Sequence, residues 1–373
     1  MNQEGSLEEW LRKQRFYRGN PKEDPQVRVI KKKPFLTGHH YFVDTVAGVY
    51  QFFLDDNGND LTAETVEWMR QDAHGRIPLS DGATLHGELP KNFTIAPVAN
   101  PTGRNLHYRM TDVDTGKHYM VRVFHYLTEG LSSEIDLLSQ LTGAHFPKVE
   151  GYVTIELDGI DYTLSAIESY ESGEPGSAIA KQNASAGFYH HTELINLGRT
   201  VRYMHDALAM AFPTGRRPTN FMGDALKDLF DELADDYPHL EEHRQRINHL
   251  VAAMPEDFPV QRIHGDLRLE LTLLDNGVWV IVDFNESIPH PGAHELRSPT
   301  DDVAGIVASL REHGANNPVW CENVVDSFLE GYGLDKIDAT FRACQARRGL
   351  LMLATAETEA QRVQGRRLLS LEG

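Results

Sequence analysis

Apolar positions along the chain follow two rhythms. Up to about residue 168 they fall in short runs of strand type, at 27–30, 41–43, 49–54, 106–111, 119–124, 152–157 and 162–167. Turns rich in Asp, Asn and Gly separate several of them, as at Asp114-Thr115-Gly116-Lys117 and Asp158-Gly159. Beyond Glu193 the spacing becomes helical: Leu194, Leu197, Val201, Met204 and Leu208 step by three and four. Leu226, Leu229, Phe230 and Leu233 predict a second helix, Ile247, Leu250 and Val251 a third, and helices dominate again from Asp301 onward. Two shorter helices are predicted at 7–19, with Leu7, Trp10, Leu11 and Gln14 on one face, and at 132–141. The small residues of 176–187 read as a loop.

This order predicts an α+β protein of more than one subdomain, since 373 residues exceed what one core usually supports. Residues 1–95 form a small α+β cap without recognisable chemistry, 96–168 a strand-rich small lobe and 169–373 a helical lobe.

The densest chemistry lies in the last of these. Arg262-Ile263-His264-Gly265-Asp266-Leu267 is followed, after a hairpin-type turn at Asn276-Gly277, by an apolar run ending in Asp283-Phe284-Asn285. A kinase catalytic loop and its metal loop have this layout, which predicts a bilobal kinase-like fold. Phosphoryl transfer needs one carboxylate to deprotonate the accepting hydroxyl and others to hold Mg²⁺ against phosphates. Asp266 suits the first task, with His264 beside it as a catalytic candidate, and Asp283 and Asn285 are the metal candidates. The position five after the base, where such kinases carry an amide for a second ion, is Leu271. The alternative is a buried β-hairpin whose aspartates cap turns.

In the small lobe, the strand position that contacts the α- and β-phosphates is Arg122, and its helix partner is Glu134. A surface ion pair is the alternative reading of these two. Only Gly103, within Asn100–Asn105, stands where a glycine-rich phosphate loop is expected, and a plain turn is the better reading of this stretch. Ser169 and Tyr170 occupy the place of a hinge that would hold adenine by its backbone, or of an ordinary interdomain connection.

A net charge of −19 argues against nucleic acid or an anionic membrane as a partner, so phosphate must be held by a local feature. Cys321 and Cys344 are the only cysteines, which indicates neither disulfides nor a zinc site and suits a cytoplasmic protein. Met1–Gly5 is polar and leads into an amphipathic segment rather than a basic stretch followed by an apolar one, and no run approaches the roughly 20 apolar residues of a membrane span, so a soluble, unexported protein is expected.

Three segments resemble the bacterial maltokinases: Trp10-Leu11-Arg12-Lys13-Gln14-Arg15-Phe16-Tyr17, then Leu197-Gly198-Arg199 through His205 and Leu208, and finally Arg262 to Asp283 with Ser298-Pro299-Thr300-Asp301-Asp302. The resemblance implies an aminoglycoside-phosphotransferase-like kinase that uses MgATP to phosphorylate maltose, with trehalose synthase as a partner in α-glucan synthesis. Against that family's pattern, Arg268 replaces a His, Glu270 a Gly, Leu271 the metal-binding Gln, Asn285 a Glu and Arg122 the strand Lys. Asp266 and Asp283 remain. The expectation is a degenerate maltokinase acting mainly as a binding or regulatory partner of trehalose synthase, with no bound cofactor required. The competing expectation is an active maltokinase using ATP and Mg²⁺.

Overall fold

The computed structural model describes residues 3–20, 22–35, 37–61, 83–98, 105–284, 296–334, 337–354 and 359–370. These gather into two compact units, one of residues 1–139 with 147–171, the other of 140–146 with 172–373.

The first unit opens with helix α1 (Gln3–Arg12) and strands β1 (Arg28–Phe35), β2 (Gly38–Thr45) and β3 (Gly48–Asp55). Strands β4 (Ala83–Gly87), β5 (Phe93–Pro97), β6 (Asn105–Asp112), β7 (His118–Phe124) and β8 (Tyr126–Leu127) follow, then helix α2 (Ser133–Leu138) and strands β9 (Val149–Leu157) and β10 (Ile160–Ser169). They build a four-stranded sheet ordered β1-β2-β3-β8 and a six-stranded sheet ordered β4-β9-β10-β7-β6-β5. All pairings are antiparallel. The alternating side chains of β6, β7, β9 and β10 bury Tyr108, Met110, Val121, Val123, Val153, Ile155 and Leu164 in one core.

Two expectations are corrected here. The boundary expected near residue 95 falls inside β5, so the cap and the small lobe are one compact unit. The first helix stops at Arg12, well short of Gly19, because Phe16 turns into the core and stacks on His125 with ring centroids 4.0 Å apart. Gln51 ties the two sheets together: its amide donates to the carbonyls of Phe124 and Leu164 at 2.7 and 2.9 Å, and its oxygen accepts from His40 Nε2 at 3.0 Å.

In the second unit β11 (Glu174–Pro175) pairs with β14 (Thr272–Asp275), and β14 with β15 (Val278–Ile281); β12 (Gly215–Pro218) pairs with β13 (Asp257–Val260). The helices are α3 (Gly176–Ala186), α4 (His191–Ala211), α5 (Thr219–Asp236), α6 (Arg244–Ala252), α7 (Thr300–His313), α8 (Pro318–Tyr332), α9 (Ala339–Ala354) and α10 (Glu359–Ser370). Helix α3 replaces the loop expected over 176–187. Its alanines are strong helix formers, Ala180 and Ala184 are buried, and Gly187 closes it at φ 66°. Helices α4 and α8 pack closely because Gly198 leaves room for the backbone at Phe328 and Tyr332. Among the described residues no helix is long and apolar enough to cross a membrane.

Candidate active site

In the first unit, β7 carries Arg122 and α2 carries Glu134. Ser132 caps α2, its hydroxyl accepting the Ile135 N–H at 3.4 Å. Arg122 Nη1 lies 2.5 Å from Glu134 Oε1, so the expected pair forms, but it is sealed from water, with Arg122 4% and Glu134 0% exposed. That corrects the surface alternative. Sequence reasoning missed a third member: Glu168, at the end of β10 and 1% exposed, places Oε2 3.5 Å from Arg122 Nη2. Register explains it, because Glu168 pairs with Met120 and Ala166 with Arg122 on neighbouring strands. Two carboxylates therefore claim one guanidinium.

The expected hinge follows directly. The N–H groups of Ser169 and Tyr170 donate to the carbonyls of Lys148 and His118, at 2.8 and 3.3 Å. Ser169 Oγ accepts from the Lys148 N–H at 2.8 Å and donates to Glu171 at 2.5 Å. Two of the N–H groups that would face adenine are thus turned to protein carbonyls. The stretch with Gly103, and Asn285 of the metal loop, lie outside the described residues.

In the second unit, the catalytic loop hangs from one carboxylate, Asp302 in the first turn of α7. Asp302 is 0% exposed; its Oδ2 accepts the His264 N–H at 2.8 Å and its Oδ1 the Gly265 N–H at 2.9 Å. His205, from α4, adds a third bond to this carboxylate, its Nε2 donating to Oδ2 at 3.0 Å, and its Nδ1 lies 2.9 Å from the Tyr332 hydroxyl. Burial alone would raise the Asp302 pKa, but the bond and charge of His205 with the fields of His264 and Arg297 prevail and hold it well below the usual carboxylate range. Burial keeps Tyr332 protonated by pushing its pKa up. Gly265 supplies φ 91°, and its carbonyl accepts from Arg297 Nη1 at 3.1 Å.

The same loop grips the metal loop. His264 Nε2 donates to the Val282 carbonyl at 3.1 Å, and its ring lies 4.7 Å from that of Phe284, which is fully buried. Between them Asp283 sits at φ 64°, a left-handed conformation costing a non-glycine residue about 1–2 kcal/mol. Strain held between two anchors is characteristic of functional positions. Leu271, in a short 3₁₀ turn (Leu269–Leu271), accepts the Val282 N–H on its carbonyl at 3.0 Å, so its backbone is pinned one residue from Asp283.

Mg²⁺ is bound through one or two carboxylates together with substrate phosphates and water. Asp283 fits one such ion, whose role would be to neutralise phosphate charge, whereas the hydrocarbon of Leu271 does not fit a second. The structure thus brings His264, Asp266 and Asp283 onto two joined loops, and Arg122 and Glu134 into a buried cluster. Sequence reasoning missed Asp302 and His205 as the residues positioning the catalytic loop, although both stand in the segments that carry the maltokinase resemblance.

The chain is similar to several solved structures. A glucosamine kinase in complex with glucosamine, ADP and inorganic phosphate superposes with a TM-score of 0.62 at 17% identity, covering 100% of both chains. A second crystal form of glucosamine kinase gives 0.64 at 17% identity over 95% of this chain and 96% of that one. An aminoglycoside phosphotransferase from Streptomyces rimosus gives 0.43 at 17% over 76% and 96%. At such identities the glucosamine kinase likeness establishes a shared kinase-like α+β fold and no more. The sequence profile of the phosphotransferase enzyme family, APH, matches residues 100–344, about two thirds of the chain. That match, over more than half of its length, places this chain in the APH phosphotransferase family.

Proposed function

We propose that this chain is a maltokinase-like sugar phosphotransferase homologue whose phosphoryl transfer is weak, so that it acts mainly by binding, with trehalose synthase as the partner the resemblance implies. The observation carrying this reading is the buried Arg122–Glu134–Glu168 cluster. An arginine at the phosphate-contacting position, already held by two carboxylates, presents a nucleotide phosphate with competition from two fixed negative charges in a low-dielectric site. Leu271 removes a ligand for the second ion, and such a loss slows transfer by roughly a hundred- to a thousandfold. The solved glucosamine kinase complex supports a sugar acceptor and a nucleotide donor, which makes ATP the donor for whatever transfer remains.

The test is phosphate transfer from ATP to maltose and to glucosamine with Mg²⁺ or Mn²⁺, with Asp266→Ala as control. Transfer near background is expected, rising when Arg122→Lys, Leu271→Gln and Asn285→Glu are combined. Fast, Asp266-dependent transfer by the unaltered chain overturns the reading in favour of an active maltokinase. The assembled catalytic loop favours that second reading, with Asp266 as base and Asp283 on a single ion. For the partner, retention on immobilised trehalose synthase is expected, and its absence removes that part of the proposal.

A further inference from the structure

Three bonds converge on Asp302, and two of them come from the backbone of the loop that bears Asp266. The third, from His205 Nε2, depends on how the imidazole is turned. A half-turn of the ring about its stem exchanges each nitrogen with a carbon, and which nitrogen carries the proton is set by the hydrogen bond that the other one makes. With His205 only 2% exposed, the bond to Nδ1 falls to protein, and the group in place is the Tyr332 hydroxyl at 2.9 Å. A hydroxyl can donate to Nδ1 or accept from it, so in either state it satisfies that nitrogen and leaves the Nε2 proton facing Asp302. A phenyl ring can do neither.

The placement of Tyr332 does not depend on this bond. It is the last residue of α8, which Gly333 closes at φ 82°, its N–H directed to the Leu329 and Glu330 carbonyls. Two glycines set the crossing of α8 with α4: a Cβ at Gly331 would collide with the Ile195 carbonyl, and one at Gly198 with the Phe328 carbonyl. Along the same crossing, His191 Nδ1 lies 2.8 Å from the Ser327 hydroxyl. The Tyr332 ring meets the His205 ring edge to face, with centroids 5.7 Å apart, and the Arg202 guanidinium lies 5.9 Å from its centre. Helix packing thus delivers the hydroxyl, whose own contribution is confined to the imidazole.

We propose that Tyr332 is a positioning residue for the loop that bears Asp266: by bonding His205 Nδ1 it holds Nε2 toward Asp302, and through that carboxylate it orders the N–H groups of His264 and Gly265. The chain of contacts runs from phenol to imidazole to carboxylate to two backbone donors, and it joins the end of α8 to the loop without touching a substrate. The inference rests on the reading above only in taking that loop as the reactive one.

Amide hydrogen exchange on the full chain tests it, together with the ring ¹⁵N signals of His205. Tyr332→Phe keeps the ring and the helix crossing, so it should fold. In that variant exchange at His264 and Gly265 should quicken at least about tenfold, while amides in the middle of α4 and α8 change less than about twofold. The Nδ1 signal of His205 should shift. Placing Tyr332→Phe on a His205→Gln background should have less than about a twofold effect at the loop, since a glutamine amide can donate to Asp302 without a second ring nitrogen to satisfy. Unchanged exchange at His264 and Gly265, or an unmoved Nδ1 signal, overturns the proposal on Tyr332→Phe alone. Uniform quickening across α4 and α8, or the same tenfold effect on the glutamine background, also overturns it by reducing Tyr332 to a packing residue. Phosphate transfer, fast or weak, judges the kinase reading and leaves this outcome unaffected.

Discussion

Arg122 in the first unit and Asp302 in the second are both sealed from water, yet their surroundings are built on opposite plans. Arg122 is balanced by formal charges on two other side chains, Glu134 and Glu168. Asp302 is balanced mainly by dipoles, the backbone N–H groups of His264 and Gly265, with His205 completing the set. Side-chain partners can be exchanged together for hydrocarbon, but backbone donors remain whatever residue replaces the acceptor. The first arrangement is therefore replaceable as a cluster, while the second is a fixed requirement of the loop that carries Asp266.

The largest effect should come from Asp302→Ala. It strands two backbone donors and His205, and should cost about 3–5 kcal/mol, read as a drop in the urea midpoint. The partly apolar repair Asp302→Leu with His205→Phe should stay far below the parent. Recovery there would erase the contrast between the two centres.

Arg122→Met alone should cost about 3 kcal/mol, because it leaves two carboxylates buried together. Combining it with Glu134→Leu and Glu168→Leu should recover most of that loss in the same denaturation assay. A triple variant as unstable as the single one would show that the cluster is as indispensable as Asp302.

Acid should separate the units next. His40, buried between Phe42 and Phe53, has its pKa pulled down to about 3, chiefly by burial. Because the folded pKa lies below the unfolded value near 6.5, the native state keeps His40 neutral while the unfolded chain takes up a proton. Stability is complete above pH 6.5 and falls as pH drops from there toward 3, by about 2 kcal/mol at pH 5. Asp302 also has a depressed pKa, but its contribution declines only below the ordinary carboxylate value of about 3.9. Thermal melts between pH 7 and 4.5 should therefore show loss in the first unit, flattened in part by His40→Asn, since burial also lowers the pKa of His125 in that unit. A slope left intact by that variant would assign the acid sensitivity elsewhere.

The smallest effect is Ser132→Ala, which removes the cap of the helix carrying Glu134. It should lower stability by about 1 kcal/mol. A much larger loss would mean that α2 depends on its cap to hold Glu134 against Arg122.

Much of the site was legible in the sequence because local chemistry encodes it. His264-Gly265-Asp266, the Asn276-Gly277 turn and Asp283-Phe284 are short segments whose spacing alone requires a loop, a hairpin and a second loop. Glu134 as the partner of Arg122 was legible too, because a kinase-like order of strand and helix fixes which positions meet. The segment Gly176–Ala186 reads as a loop in the sequence because small residues are ambiguous between a loop and a tightly packed helix. Burial of Ala180 and Ala184 settles the question in favour of the helix.

By itself, then, the sequence determined the alternation of strands and helices, the two aspartate-bearing loops and a hydrocarbon side chain at Leu271, since each is a property of residue type and near neighbours. Only the tertiary structure decided that Glu168 joins Arg122, that Asp302 and His205 suspend the catalytic loop, and that Arg348 reaches Asp266 from 82 positions away in the chain. The physical reason is that a charge acts through space over a few ångströms without regard to sequence separation. Which charges meet is set by strand register and helix packing.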